Sequence, residues 1–312
     1  MSLIEKMYTF FILSSVIIGI VIGQVSLIQS NAEFFIVPIL VVMLYFTFLQ
    51  IPLTEIKRAF KNTKFTYTSV IINFVWIPVL AWILASVFLG NTPALYIGFI
   101  MLMVTPCTDW YLIFTGLARG NVALSTAILP LNLILQVLLL PFYLLIFGGT
   151  TEFIQLSFLV ESILIVLFLP LALAIVSKRF NRISTVLVSK FSVFPIILLN
   201  FAIMAMFASQ GHLLITNIDL IWKITIPILL FFVLNFFVGQ LAGRLMKFSY
   251  QDRTSLSLTT LARNSPVALA IAMTAFPDQP LIALTLVIGP LLELPILAII
   301  TQVLLFLNKG RR

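Results

Sequence analysis

Residues 105–110 read TPCTDW, Thr105 to Trp110, and interrupt a run that is otherwise apolar from 94 to 117. The six residues hold a proline, the only cysteine of the chain and an acid, Asp109. A carboxylate at the centre of a membrane helix costs about 2.5–3.5 kcal/mol on insertion scales. Proline removes a backbone donor and clashes with the preceding turn, so a helix breaks or kinks there. In lipid, the carbonyls freed in this way must find partners inside the protein or in a water-lined cavity. The stretch therefore predicts a discontinuous helix with its unwound middle near the bilayer midplane, where secondary transporters place ion and substrate sites.

The surrounding composition sets the class. Of 312 residues, 62% are hydrophobic and 9% charged, against about 25% charged in soluble domains. Ten apolar segments approach the roughly 20 residues that a span needs. They lie near 7–27, 34–54, 66–89, 94–117, 121–147, 154–177, 190–209, 220–246, 255–276 and 280–306. The expectation is an all-α integral membrane protein of ten helices. Sixteen of the 18 basic residues, all but Lys223 and Arg263, lie before the first span, in alternate loops or in the tail. Those loops include 57–64 (KRAFKNTK), Arg119, 178–190 (KRFNRISTVLVSK) and 244–253. The opposite loops carry Glu33, Glu152, Asp219 and Asp278. By the positive-inside rule both termini are cytoplasmic, in a multi-pass protein of the cell membrane. The net charge of +8 is thus an orientation signal and does not point to nucleic acid. With no small-residue cleavage site after it, the first span reads as a retained helix rather than a signal peptide. A single cysteine excludes an intramolecular disulfide and any CxxC motif.

Ten spans invite a search for an internal repeat. Pro106 and Pro266 lie 160 residues apart, as do Pro130 and Pro290, and in the same register Ala123-Leu124-Ser125 matches Ala283-Leu284-Thr285. This predicts two repeats, 1–150 (spans one to five) and 151–312 (spans six to ten). Five spans is an odd number, so the second repeat is inverted. Spans four and nine are then discontinuous, broken at Pro106 and Pro266, and cross. Pro38, Pro52, Pro78, Pro170, Pro195 and Pro227 read as ordinary kinks.

Four ionisable residues lie well within the spans, away from their ends: Asp109, Glu161, Arg263 and Glu293. Such residues are expensive in a membrane and mark functional sites by default. Asp109 follows Pro106 by three residues and Arg263 precedes Pro266 by three, which predicts an ion pair at the crossing. A purely structural pair would satisfy the same spacing. Glu293, in GPLLELP, can carry a proton or hold a cation, or stay neutral and hydrogen-bonded. Asn132 and Gln136 occupy its repeat-mate region. Glu161 lies nearer the outer end of span six, where a carboxylate can snorkel, and His212 falls in an expected outer loop at 210–216. Cys107 adjoins the break. A free cysteine usually packs as a small hydrophobe, yet its soft sulfur also suits thiophilic cargo. Cys107, Asp109, Arg263, Asn264 and Asn132 are assigned to substrate binding, with Glu293 and Asp109 assigned to coupling.

These stretches resemble the bile acid/sodium symporter superfamily, which includes the arsenite-efflux permeases. LARGNVALSTA (117–127) is similar to the segment joining spans four and five in sodium-coupled members. TPCTDW resembles the proline–cysteine stretch of the arsenite permeases, where the cysteine is associated with transport, and the resemblance implies that Cys107 is a transient metalloid ligand. GPLLELPIL (289–297) resembles their last helix. The resemblance implies two inverted five-helix repeats forming a panel domain and a core domain, with crossed discontinuous helices in the core. Departures from the family pattern are equally informative. Where sodium-coupled relatives carry Glu and Gln at the second crossover, this chain has Thr259 and Arg263, and Tyr111 and Leu112 stand where Ser and Asn would be. In the arsenite branch an acid follows the Asn of the second crossover. Here the run is NSPVALA, 264–270, without an acid.

The function expected is a secondary transporter exporting arsenite or a related metalloid, using protons and not sodium. The alternative is a transporter of small organic anions, whose carboxylate would bind Arg263. No cofactor is expected, and the partners are the substrate, the bilayer and protons. An enzyme is not expected, because a metal hydrolase needs clustered His or acidic ligands and an aspartyl dyad needs a second acid beside Asp109.

Overall fold

The computed structural model describes residues 8–51, 61–107, 110–148, 156–179, 191, 193–216 and 218–309. Asp109, Glu152 and most of the basic loops at 57–64 and 178–190 lie outside the described residues. The described chain is helical: α1 (Tyr8–Ile22), α2 (Ser26–Gln50), α3 (Thr63–Phe88), α4 (Pro93–Met103), α5 (Trp110–Leu117) and α6 (Val122–Phe147) in the first half. In the second half come α7 (Ser157–Arg179), α8 (Phe194–Thr216), α9 (Ile218–Leu245), α10 (Tyr250–Leu261), α11 (Ser265–Ala275) and α12 (Pro280–Lys309). Six of these, α2, α3, α6, α7, α9 and α12, are long and apolar enough to cross a membrane. Shorter apolar helices include α4 and α11, which flank the two predicted breaks. One expectation changes. His212 is helical, because nothing between Gln210 and Leu214 stops α8, which runs on to Thr216.

Two helices rewind locally for one reason. α3 contains a π-helical turn at Ile72–Trp76 and α7 one at Leu164–Phe168. Each turn ends two residues before a proline, Pro78 or Pro170. A proline offers no N–H to the carbonyl four residues upstream, and a wider i→i+5 turn redistributes the remaining bonds. In α3 the exposed acceptor is Phe74 O, and the Tyr143 hydroxyl donates to it at 2.6 Å.

The chain forms two compact units, each drawing on both halves of the sequence. The first comprises Met1–Ile51, Thr150–Trp222 and Pro266–Leu291. In it α8 packs on α1 and α2, and α7 on α2. The α1–α8 approach requires glycine: a Cβ on Gly23 would lie 2.3 Å from Ala208 O. Ser15 Oγ donates to Asn200 Oδ1 at 2.9 Å in the same contact. Lys178 Nζ donates to Phe48 O at 2.9 Å, placing a cation on the carbonyl end of α2, where the helix dipole favours it.

The second unit comprises Pro52–Gly149, Lys223–Ser265 and Leu292–Arg312. Its α10 packs against α3, α5 and α6. The LARGN motif is the turn that organises this packing. Arg119 adopts a positive φ of 57°, and a Cβ on Gly120 would meet Thr115 Cγ2 at 2.8 Å. Asn121 then caps α6, its Oδ1 accepting from Leu124 N at 3.1 Å. The Asn121 side-chain amide reaches Asp252 Oδ1 at 2.8 Å, and Ser255 Oγ donates to Asn121 O at 3.0 Å. The segment that resembles the sodium-coupled relatives therefore serves here as a helix start bolted to α10.

Candidate functional site

Both predicted interruptions are present in the second unit. α4 ends at Met103 and α5 starts at Trp110, while α10 ends at Leu261 and α11 starts at Ser265. The two unwound segments pair as an antiparallel bridge, Pro106 with Arg263. Cys107 N donates to Ala262 O at 3.0 Å and Asn264 N to Thr105 O at 2.7 Å. Proline chemistry explains the pairing. Ala262 is four residues before Pro266, which has no N–H to return, so the Cys107 amide takes that place. Leu102 bears the same relation to Pro106, and the Thr105 hydroxyl reaches Leu102 O at 3.1 Å and Met101 O at 2.9 Å. Each broken helix thus satisfies carbonyls of the other or of its own last turn, as the absence of water in a bilayer core demands.

Arg263 closes the remaining accounts. Its side chain is 1% exposed, and the guanidinium is surrounded by oxygens. Nη1 donates to Met103 O at 2.8 Å, Nε to Leu261 O at 3.1 Å, and Nη2 to Thr260 O at 2.7 Å and Asn73 Oδ1 at 3.1 Å. Met103, Leu261 and Thr260 lie at the carboxyl ends of α4 and α10, which carry the negative ends of the two helix dipoles. The Phe231 ring lies 5.6 Å from the guanidinium carbon, close enough for a cation–π contact. The main-chain N–H of Arg263 donates to Glu293 Oε1 at 2.9 Å. A cation buried in this way would be very costly unpaired. Here it is balanced by two helix ends, one amide oxygen and a carboxyl group at its own backbone.

Of the residues singled out in the sequence, the structure brings Pro106, Cys107, Arg263, Asn264 and Glu293 together, all buried. Pro266 begins the helix that follows the bridge, where its fixed φ suits the first turn. The expected Asp109–Arg263 pair involves a residue outside the described set. Asn132 is fully buried on α6, and no hydrogen bond joins it to the crossing among the described residues. Glu161 is exposed on α7, as a snorkelling carboxylate would be.

Sequence reasoning missed Asn73 and Phe231, which meet the guanidinium, and Asn235, whose amide donates to Thr260 O. An asparagine inside an apolar span is the one signal that could have found Asn73. The polarity of α10 was visible too: YQDRTSLSLTTL is hydrophilic for a membrane segment, yet Arg253 through Leu261 are all buried.

The profile of the Sodium Bile acid symporter family matches residues 37–217, more than half of the sequence. The chain belongs to that family. It is a multi-pass membrane protein of a transporter family. Relatives include the arsenical-resistance protein Acr3 of Corynebacterium glutamicum, 26% identical over 286 residues that cover 86% of this chain and 77% of the relative. The Acr3 of Alkaliphilus metalliredigens is 22% identical over 96% of this chain and 91% of its own. An uncharacterized transporter of Synechocystis is 25% identical over 97% and 88%. For a member of this sodium symporter family, a guanidinium at the bridge is notable chemistry: a fixed organic cation sits among backbone oxygens of the kind that coordinate hard metal ions.

Proposed function

We propose that this family member exports arsenite, or a related metalloid, by alternating access without sodium coupling. The observation that carries this reading is the guanidinium of Arg263, held by the carbonyl ends of α4 and α10 beside the only cysteine of the chain. A permanent cation there takes the place of a bound sodium ion. Asp109, three residues beyond Pro106, is proposed to share its charge. Arsenite is a neutral trihydroxide at pH 7, so its passage needs no compensating ion at the site. The Cys107 thiol displaces one hydroxyl of arsenite as water to form a single S–As bond, which water reverses on release, and Asn264 and Asn132 supply hydrogen bonds to the remaining hydroxyl groups. Glu293, whose carboxyl touches the Arg263 backbone, is proposed with Asp109 to couple transport to protons. The proposed transporter has ten spans in two inverted repeats, 1–150 and 151–312, with both termini in the cytoplasm. The similarity to two arsenical-resistance proteins supports the substrate.

The organic-anion alternative is less well supported by the geometry. A guanidinium has five N–H donors, and four hydrogen bonds to protein oxygens already occupy four of them. What is left cannot form the two-pronged contact that recognises a carboxylate.

The test is arsenite resistance in an efflux-deficient bacterium carrying the wild type, Cys107→Ser or Arg263→Ala. The proposal expects resistance from the wild type and its loss with Cys107→Ser at equal membrane expression. Resistance retained by Cys107→Ser would overturn the thiol's role, and no resistance from the wild type would overturn the substrate.

A further inference from the structure

One face of α6 carries polar groups that the helix crossing does not use. Ser125, Asn132, Gln136 and Tyr143 follow one another at steps of seven, four and seven residues, which puts them on a single stripe. All four are buried, whereas Leu138, Phe142 and Ile146, on other faces of the helix, are exposed. The stripe is pinned at both ends. Tyr111 Oη donates to Ser125 O at 2.8 Å, and Tyr143 Oη to Phe74 O at 2.6 Å. Between these contacts Asn132 and Gln136 are 0% and 1% exposed. Neither the oxygen nor the nitrogen of either carboxamide has a hydrogen-bond partner among the described residues. Other buried amides that lack a partner, those of Asn73, Asn235 and Gln240, do so at one atom only.

Two complete carboxamides one helical turn apart are costly to leave unmet inside a membrane protein. Leucine or methionine would fill the same volume without that cost. The amides are therefore matched to a partner that meets this face of α6 between the two tyrosine contacts. Its chemistry follows from theirs. A metal cation would use the two oxygens and be repelled by the NH2 groups, and an anion would do the reverse. A neutral molecule bearing several hydroxyl groups satisfies both, since each O–H donates and accepts. We propose that Asn132 and Gln136 form a subsite for a neutral, hydroxyl-bearing solute. This deepens the transport reading and rests on it. Arsenite is one such solute, boric acid another, and a polyol such as glycerol a third.

The experiment follows thermal unfolding of the full chain in lipid nanodiscs, alone and with arsenite, boric acid or glycerol. Three forms are compared: wild type, the double variant Asn132→Leu/Gln136→Leu, and Cys107→Ser. Without solute the double-leucine variant should melt a few degrees above wild type, because it removes two unmet amides. At least one solute should raise the wild-type melting temperature and leave the double variant unmoved. Arsenite transport by the double variant should show a KM raised tenfold or more. A double variant less stable than wild type would overturn the subsite, as would a solute-induced shift it retains in full, or no shift of the wild type by any of the three. The two proposals fail separately. A shift by boric acid or glycerol that the double variant loses, with none by arsenite, keeps the subsite and removes the metalloid. A shift by arsenite that the double variant keeps and Cys107→Ser loses does the opposite.

Discussion

On the proposed reading, the Arg263 side chain stands where a transported ion would otherwise be held. A sodium site needs several hard oxygens converging on one point, and Met103 O, Leu261 O, Thr260 O and Asn73 Oδ1 converge on the guanidinium instead. Removing that side chain would leave several oxygens unmet and an uncompensated pair of helix ends. Arg263→Ala should therefore lose about 3–5 kcal/mol of stability, read as a lower melting temperature in detergent. Sodium should restore part of that loss in the variant and leave the wild type unchanged. A wild type stabilised by sodium would count against the fixed-cation account. Arg263→Lys should rescue poorly, since an ammonium cannot direct donors to four oxygens spread around a plane. The importance of Arg263 was legible from its place in an apolar span, three residues before a proline. The identity of its partners was not: Asn73 lies 190 residues away, with no spacing rule to connect the two.

Among the elements, prolines shape the architecture by freeing carbonyls, and three of those freed in the second unit have identifiable donors. The Tyr143 hydroxyl serves Phe74 O, the Cys107 amide serves Ala262 O, and the Thr105 hydroxyl serves Leu102 O. Tyr143→Phe should cost about 1–3 kcal/mol, the penalty for a buried acceptor left without its donor. Pro78→Ala restores an N–H four residues after Phe74, so the same Tyr143→Phe change should cost clearly less in that background. A double-mutant cycle by denaturant or thermal unfolding measures the difference. Equal costs in the two backgrounds would show that the hydroxyl does not stand in for the missing amide. The breaks at Pro106 and Pro266 could be read from sequence because proline acts on its own helix. The π-helical turns in α3 and α7 could not, because a kink and a rewound turn obey the same local pattern. His212, expected in an outer loop at 210–216, is helical because α8 runs on to Thr216.

At the scale of the whole molecule, the composition and the apolar segments led to a multi-pass membrane protein, and the family match agrees with them. The placement of sixteen of 18 basic residues predicts cytoplasmic termini. A fluorescent protein fused to either end should then mature and fluoresce, and an alkaline phosphatase fused there should be inactive; the reverse pattern at either end would refute the orientation. On the proposed reading, Arg263 stands in for the sodium that sodium-coupled relatives bind, and arsenite flux in proteoliposomes distinguishes the two cases. Flux is measured with sodium on both sides and again with choline in its place, at equal ionic strength and the same proton gradient. The fixed-cation account predicts the same initial rate in both buffers. Flux that falls to the level of protein-free liposomes in choline would contradict it.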